Sequence, residues 1–249
     1  MRMRKRHNLD SRMENCAGLL VSEPESAKGN WKNAFIPARE VHLELGCGKG
    51  RFTVDTASAM PDVMLAAIEK VPDAMIIAME RTRDRGLENV RFIDGDAAKL
   101  KEMFDDGEIH RIYINFCDPW PKSRDAKFRL TAPAFLRIYC DLLPVGGQIH
   151  FKTDNTPLFQ WSIEQFNAEL WQLSEVTNDL HAERTDIPRT DYEAKFVESG
   201  LKINRLVAER TPETKGAAAG IVPRIRNAAL TDARGYGETV GGSTPGGEK

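Results

Sequence analysis

The sequence has few cysteines, no long apolar run and almost no net charge, and each absence excludes a class of protein. Its four cysteines lack any C-x-x-C spacing, so neither a zinc site nor a disulfide framework is indicated. No stretch reaches the roughly 20 apolar residues of a membrane span, and the basic start lacks the apolar segment of a signal peptide. A formal net charge of -2 argues against nonspecific coating of nucleic acid. We expect a cytoplasmic protein with no metal and no membrane contact, whose nucleic-acid contacts come from a local patch.

Composition divides the chain into three parts. Residues 1–38 begin with five Lys or Arg against one Asp in positions 1–12, which predicts a basic, largely irregular arm. The arm is either solvated or binds phosphates. Residues 39–210 carry the periodic structure of a folded domain. Residues 211–249 contain eight glycines and three prolines with few large apolar side chains, so we expect a disordered tail.

Strand and helix patterns alternate through the middle part, and this alternation predicts a doubly wound, mostly parallel α/β sheet. Short apolar runs predict five strands, at 41–45, 63–68, 90–93, 109–116 and 148–153. The intervening segments and one that follows predict helices, at 51–60, 72–85, 133–143 and 157–170. Two closing segments are expected to form an antiparallel hairpin at one edge, at 171–177 and 201–208.

A glycine-rich turn follows the first predicted strand, with glycines at positions 46, 48 and 50. Glycine permits positive φ and lets the backbone pass close to a ligand. The dinucleotide fingerprint requires a small residue three positions after its second glycine, but Arg51 stands there. The turn therefore argues against NAD, and by itself it is a weak signal because many such turns bind nothing.

Acidic residues accompany three successive predicted strands, where they would ring one cleft. Glu44 precedes the turn, Glu69 ends the second strand and Asp96 follows the third. An acid at the second strand end suits ribose hydroxyls, one after the third can accept from an adenine amine, and one near the turn can hold an ammonium group. Together they indicate S-adenosylmethionine as the cofactor. The alternative, acids that only cap helices, is what we expect for Asp94.

The residues after the fourth strand combine a carboxylate, an indole and a run of cations. Asp118 and Trp120 come first, and four cations follow, Lys122, Arg124, Lys127 and Arg129. The carboxyl edge of a parallel sheet is where open α/β proteins bind ligands. An acid beside a flat ring and a cationic strip can hold a nucleic-acid base and its phosphates. The alternative is a strand cap followed by a solvated basic loop, with Trp120 packed to support it.

Four segments resemble the bacterial tRNA (guanine-N7-)-methyltransferase family, namely LELGCGKG at 43–50, NFCDPWPK at 115–122, FKTDN at 151–155 and TDYEAKF at 190–196. The glycine turn is shared by methyltransferases in general, whereas the D-P-W-P-K and T-x-Y-E segments are far more specific. The resemblance runs from the basic start to about residue 210. It implies a class I, Rossmann-like methyltransferase domain over 39–210. It also implies transfer of a methyl group from S-adenosylmethionine to N7 of a guanine in the tRNA variable loop.

The resemblance also implies roles for individual residues. The cofactor site would be lined by Glu44, Gly46, Gly48, Glu69, Asp96 and Asp118. The tRNA would be contacted by Lys122, Arg124, Lys127, Arg129, Asp154, Thr190, Asp191, Tyr192 and Glu193. Because guanine N7 already carries a lone pair, Asp118 is expected to hydrogen-bond the guanine or stabilise the cationic product, and not to act as a nucleophile. Asp154 would grip the Watson–Crick edge, while Tyr192 or Trp120 would stack on the base.

Two residues depart from the family's usual R-H-x-K-R-R strip, since Asp125 replaces the histidine and Phe128 replaces an arginine. Both departures lower the positive charge that would bind tRNA. Two other classes stay open from the residues alone: a methyltransferase acting on a small molecule or a different base, and a noncatalytic RNA-binding protein that kept the fold. The intact acids count against the second. The sequence is compatible with a monomer or a homodimer.

Overall fold

Seven strands form a single sheet in the computed structural model, which describes residues 8–198 and 200–216. In chain order they are β1 (Glu40–Leu45), β2 (Val63–Glu69), β3 (Val90–Asp94), β4 (Arg111–Asn115), β5 (Gln148–Thr153), β6 (Gln172–Thr177) and β7 (Asn204–Glu209). Their spatial order is β3-β2-β1-β4-β5-β7-β6. The first five strands are parallel, and β7 pairs antiparallel with both β5 and β6. This confirms the predicted mostly parallel sheet with an antiparallel edge.

Helices connect the strands on both faces. They are α1 (Leu9–Glu14), α2 (Trp31–Ala34), α3 (Arg51–Ala59), α4 (Pro72–Asp84), α5 (Leu100–Met103), α6 (Pro133–Leu142), α7 (Thr156–Ala168), α8 (Leu180–Glu183) and α9 (Asp191–Glu198). Local sequence explains several starts. Pro72 and Pro133 each occupy the first position of a helix, where a missing N–H is not needed. Asn155 caps α7 by accepting from the Leu158 amide at 2.8 Å.

The order in which strands are added to the sheet reverses beside β1, which lies between β2 and β4. Leu43 pairs with Ala66 on one side and with Ile112 on the other. Since these strands are parallel, their carboxyl ends meet at one edge of the sheet. A reversal of strand order opens a crevice at that edge, the usual place for a ligand in open α/β folds.

The core lies on both faces of the sheet because alternate strand residues point to opposite sides. Leu43 and its partner Ala66 pack into a cluster with α6, whereas Leu65, the residue before Ala66 in β2, packs into a second cluster with α3 and α4. Phe135 of α6 and Phe92 of β3 are fully buried in these clusters. Burying each such side chain contributes about 1.5–3 kcal/mol.

The segment before β1 is more ordered than the sequence predicted. Residues 8–38 carry α1, α2 and short 3-10 turns, although a largely irregular arm was expected. Trp31 is fully buried and its indole N–H donates to the Met103 carbonyl at 2.9 Å. Arg12 forms an ion pair with Glu80 of α4 at 2.6 Å. This segment therefore packs against α4 and α5, while the basic residues 2–6 lie outside the described residues.

The predicted elements are otherwise confirmed to within a few residues. The largest change is in the last predicted strand, which begins at Asn204 instead of residue 201. The fourth strand ends one residue early, at Asn115, and Phe116 after it has a left-handed backbone with φ 54°. Of the expected disordered tail, residues 217–249 lie outside the described residues. Its first residues pack on the domain, where Thr214 donates to the Leu170 carbonyl at 3.0 Å. Over the described ranges, no helix is long and apolar enough to cross a bilayer.

Candidate active site

The glycine turn is bound to the end of the neighbouring strand. Gly46, Gly48 and Gly50 all have positive φ, at 76°, 57° and 77°. The Gly46 amide donates to the Ile68 carbonyl at 2.8 Å, and the Gly48 amide donates to Glu69 Oε2 at 2.8 Å. A Cβ built at Gly46 or Gly48 would meet no atom within 4 Å, so the space beside the turn is open. A ligand can therefore approach the backbone of the turn at van der Waals distance.

Glu69 and Asp96 lie at the ends of neighbouring strands, as predicted. Glu69 is half-buried, and its Oε1 accepts from the amides of Lys70 and Val71 at 2.8 and 2.9 Å. Asp96 accepts from the Ala98 amide at 2.9 Å and pairs with Lys70 Nζ at 2.6 Å. Helix capping was expected of Asp94, but this cap is Asp96. A carboxylate has about four acceptor sites, so both acids keep capacity for a ligand.

Glu44 lies beneath the turn and is almost completely buried. Its Oε2 accepts from the Thr53 hydroxyl at 2.6 Å, and Asn115 Nδ2 lies 3.5 Å from its Oε1. Burial raises the pKa of Glu44 to about 7, although the hydrogen bonds of Thr53 and Asn115 oppose the shift. Glu44 therefore titrates near neutral pH, and its carboxylate lies inside the fold and not on an exposed surface.

The loop after β4 presents Asp118 to solvent on a strained backbone. Phe116 and Trp120 both have positive φ, at 54° and 42°, which costs a non-glycine residue about 1–3 kcal/mol each. Asp118, between them, is exposed. Burial raises the pKa of Cys117 to about 12, so its thiol stays protonated and is no nucleophile. Arg129 braces this loop by donating to the Pro119 and Trp120 carbonyls at 2.9 and 3.0 Å.

The cationic strip separates into exposed and packed members. Lys122, Arg124 and Lys127 are exposed, which fits their predicted role toward phosphates. Arg129 was predicted to contact RNA, but its guanidinium is occupied by the loop carbonyls and lies 4.3 Å from the centre of the Trp161 ring.

The two departures from the family strip also have local partners. Phe128 packs on Trp120 with ring centres 5.3 Å apart, and Asp125 lies 3.8 Å from Arg124. The indole is thus packed within the loop, as the alternative for Trp120 anticipated, which leaves Tyr192 as the more accessible ring.

The segment Thr190–Glu193, called here the TDYE segment, begins α9 with reciprocal capping bonds. The Glu193 amide donates to Thr190 Oγ1 at 2.9 Å, and the Thr190 amide donates to Glu193 Oε2 at 3.1 Å. The prediction that Glu193 faces RNA is wrong for this arrangement, because its side chain is fully buried against Lys152 Nζ at 2.7 Å. Asp191 is bound by Arg81 at 2.6 Å. Thr190 and Glu193 therefore hold the segment in place.

Tyr192 and Asp154 are the members of the predicted RNA set that meet at the strand ends. Tyr192 is 47% exposed, its ring centre lies 5.2 Å from that of Phe116, and its hydroxyl lies 3.5 Å from Asp154 Oδ2. Asp154 follows β5 directly, and Asp118 is the third residue after β4. An exposed ring beside a strand-end carboxylate can form the wall of a pocket for a planar base.

Sequence reasoning missed four residues that connect these groups: Thr53, Asn115, Arg81 and Lys152. Thr53 and Asn115 bind Glu44, whereas Arg81 and Lys152 bind the TDYE segment. The sequence carries no local signal for these four residues. It does carry one for the start of α9, because Thr190 followed three positions later by Glu193 is a known helix-start pattern. Within the described ranges, no group of three His, Cys, Asp or Glu could hold a metal ion.

Comparison with known proteins identifies the family. Residues 38–206 match a family model described as "Putative methyltransferase". A Brevibacillus brevis protein named tRNA (guanine-N(7)-)-methyltransferase is 44% identical over 191 residues, covering 76% of this chain and 89% of that protein. A Listeria monocytogenes protein of the same name is 40% identical over 210 residues, covering 84% and 98%. The chain belongs to this family. The tRNA (guanine-N7-)-methyltransferase resemblance drawn from four motifs is confirmed, and with it the expectation of a methyltransferase.

Solved structures support the fold alone, because their identities to this chain are low. The 16S rRNA methyltransferase KamB superimposes with a TM-score of 0.55 at 15% identity, covering 70% of this chain and 89% of that one. An antibiotic-related methyltransferase gives a TM-score of 0.53 at 16% identity, covering 84% and 96%. The expected Rossmann-like methyltransferase fold is therefore confirmed.

Proposed function

We propose that this protein transfers a methyl group from S-adenosylmethionine to N7 of a guanine in the variable loop of tRNA. The observation that carries the proposal is the convergence of two groups of side chains at one edge of the sheet. Glu44, Glu69 and Asp96 come from β1, β2 and the end of β3, on one side of the strand reversal. Asp118 and Asp154 follow β4 and β5, on the other side.

The residues on the β1–β3 side fit an adenosyl amino acid. The open space beside Gly46 and Gly48 admits a ligand. Asn115, whose Nδ2 lies 3.5 Å from Glu44, has a buried Oδ1 without a hydrogen-bond partner among the described residues. Glu69 would bind the ribose hydroxyls, while Asp96 would accept from the adenine amine. The negative charge of Glu44 would favour the cationic end of the molecule from below. When bound, S-adenosylmethionine supplies an activated methyl group.

The residues on the β4–β5 side fit the acceptor base. Guanine N7 attacks with its own lone pair, so the site needs alignment and charge stabilisation and no general base. Asp118 would hydrogen-bond the guanine or stabilise the positive charge that the purine acquires. Asp154 would accept from its Watson–Crick edge, and Tyr192 would stack on it. Trp120 is engaged with Phe128 and would support the loop instead.

The exposed cations extend the site toward the RNA backbone. Lys122, Arg124 and Lys127 lie in the 3-10 turn that follows Asp118 or at its start, and they would bind phosphates near the target base. The relatives are named for tRNA, which gives this cationic strip its proposed partner. Free thiols at all four cysteines fit a reducing compartment, so we place the enzyme in the cytoplasm.

Product analysis tests the proposal and separates it from the two other classes. The protein is incubated with labelled S-adenosylmethionine and unmodified bulk tRNA, and the digested RNA is analysed for methylated nucleosides. We expect 7-methylguanosine. A different methylated nucleoside would indicate another base as the target, and tRNA binding without transfer would indicate a noncatalytic protein; either result would overturn the proposal.

A further inference from the structure

Arg81 of α4 touches two parts of the candidate site that lie far apart in sequence. Its Nη1 donates to Asp191 Oδ2 at 2.6 Å and its Nη2 to Oδ1 at 3.1 Å, which makes a bidentate pair. The same Nη1 donates to the Lys49 carbonyl in the glycine turn at 2.9 Å. One guanidinium thus joins the turn to the TDYE segment.

The helix that carries Arg81 has a fixed position on the turn. A Cβ at Gly50 would lie 2.4 Å from the Ala78 Cβ and 2.7 Å from its Cα, so α4 and the turn are in close contact. Ala78 and Arg81 are three positions apart and therefore lie on the same face of the helix. A shift of the turn must move the Lys49 carbonyl relative to Arg81, or carry Arg81 with it.

The TDYE segment is held from its other side by a buried ion pair. Lys152 of β5 binds Glu193, and both side chains are almost completely buried. Asp191 and Glu193 are therefore fixed to α4 and β5, and Tyr192 between them faces the strand ends. Of the two attachments, only the one through Arg81 reaches the glycine turn.

We propose that Arg81 is a positioning residue that couples the glycine turn to the TDYE segment, so that methyl donor and tRNA each strengthen the binding of the other; this inference rests on the function proposed above. The Arg81–Asp191 pair is about a third exposed, so its direct contribution to stability is small. Its bidentate geometry nevertheless restricts the orientation of Asp191. A donor that orders the turn reduces the entropy cost of ordering Tyr192, and RNA that orders Tyr192 does the same for the turn.

Equilibrium binding measures this coupling without turnover. The affinity for S-adenosylhomocysteine, the demethylated donor, is measured by calorimetry with and without saturating unmodified tRNA. In the native protein we expect tRNA to tighten binding by about fivefold or more. In Arg81→Gln the ratio of the affinity with tRNA to the affinity without it should fall to near one, while the affinity without tRNA changes little. Asp191→Asn should lose the same coupling, and the double variant should lose no more than either single variant.

Arg85→Gln is the matched control, because Arg85 lies at the end of the same helix and pairs with Asp55 at 2.7 Å. It removes a similar ion pair from the same helix and should keep the native ratio of affinities. A general loss of stability would instead change the ratio in both variants. If Arg81→Gln does not fold, Asp191→Asn tests the inference instead, because it removes the same ion pair and leaves the sequence of α4 unchanged. A native ratio near one, or an unchanged ratio in Asp191→Asn or a folded Arg81→Gln, overturns the inference. Coupling accompanied by a nucleoside other than 7-methylguanosine would overturn the proposed function alone.

Discussion

Lys152 Nζ lies 2.7 Å from Glu193 Oε2, and this ion pair fastens the start of α9 to the carboxyl end of β5. Lys152 also donates to the Pro188 carbonyl at 2.9 Å, and its Nζ lies 5.0 Å from the centre of the Phe52 ring. Burial lowers the pKa of Lys152, whereas the adjacent Glu193 carboxylate raises it. The pair therefore fixes the position of the TDYE segment, although burying both charges is energetically unfavourable.

Replacing Lys152 by Met should destabilise the protein, because Glu193 is then left charged and buried. We expect the free energy of unfolding to fall by about 3–5 kcal/mol, measured by urea denaturation. The double variant Lys152→Met/Glu193→Gln should recover part of that loss, since neither charge remains. A double variant as unstable as the sum of the two single variants would contradict the assignment of an ion pair.

Donor binding should become tighter as pH rises through neutrality, because Glu44 titrates there. Its pKa is raised from the usual 4.5 to about 7, so the folded protein holds this proton more tightly than the unfolded chain does. Glu44 therefore makes the ligand-free protein less stable as pH increases from 4.5 through 7. A cationic ligand favours the ionised form, so affinity should rise about tenfold from pH 6 to 8. Calorimetry in buffers of different ionisation enthalpy should show proton release near pH 6.5.

Glu44→Gln is the control for this pH dependence. The amide cannot titrate, so the affinity should be weaker and nearly constant over the same range, and proton release should disappear. A native affinity that does not change with pH would show that the charge of Glu44 does not act on the donor.

Asp118→Asn should abolish methyl transfer while leaving tRNA affinity nearly intact. The side chain is exposed, so its loss should change stability by less than about 0.5 kcal/mol. Single-turnover transfer and filter binding of tRNA measure the two effects. Asp84→Asn, an exposed residue that pairs with Arg83, makes the same charge change and should retain activity. Near-normal turnover in Asp118→Asn would remove Asp118 from the central role.

The exposed and packed cations of the strip should behave differently when replaced. Lys122→Gln and Lys127→Gln should each weaken tRNA binding and reduce the slope of log affinity against log salt by about 0.7–0.9. Arg129→Gln should instead lower the turnover rate with little change in slope, because its guanidinium braces the Pro119 and Trp120 carbonyls. An equal change of slope in all three variants would show that Arg129 also contacts phosphate.

The sequence predicted what is encoded locally. Strand ends, the glycine turn and Asp118 could be placed because apolar periodicity, glycine and proline report on their own neighbourhoods. Arg81 and Asp191 could not be paired, since they lie 110 positions apart and only the folded sheet brings them together. Glu193 was misplaced for the same reason: it lies in α9, and its buried partner Lys152 is in β5, 41 positions away. Trp31 lay in a segment with too little periodicity to indicate burial.

The position of β7 between β5 and β6 determines when the sheet can be completed. During synthesis β6 emerges before β7, yet it has no neighbour in the sheet until residues 204–209 are made. The parallel strands β1–β5, with the glycine turn and Asp118, can pair before that point. The last strand in the sequence is therefore the one that completes the sheet. A nascent chain truncated before it would contain the donor-side residues but would lack the antiparallel edge formed by β7 and β6.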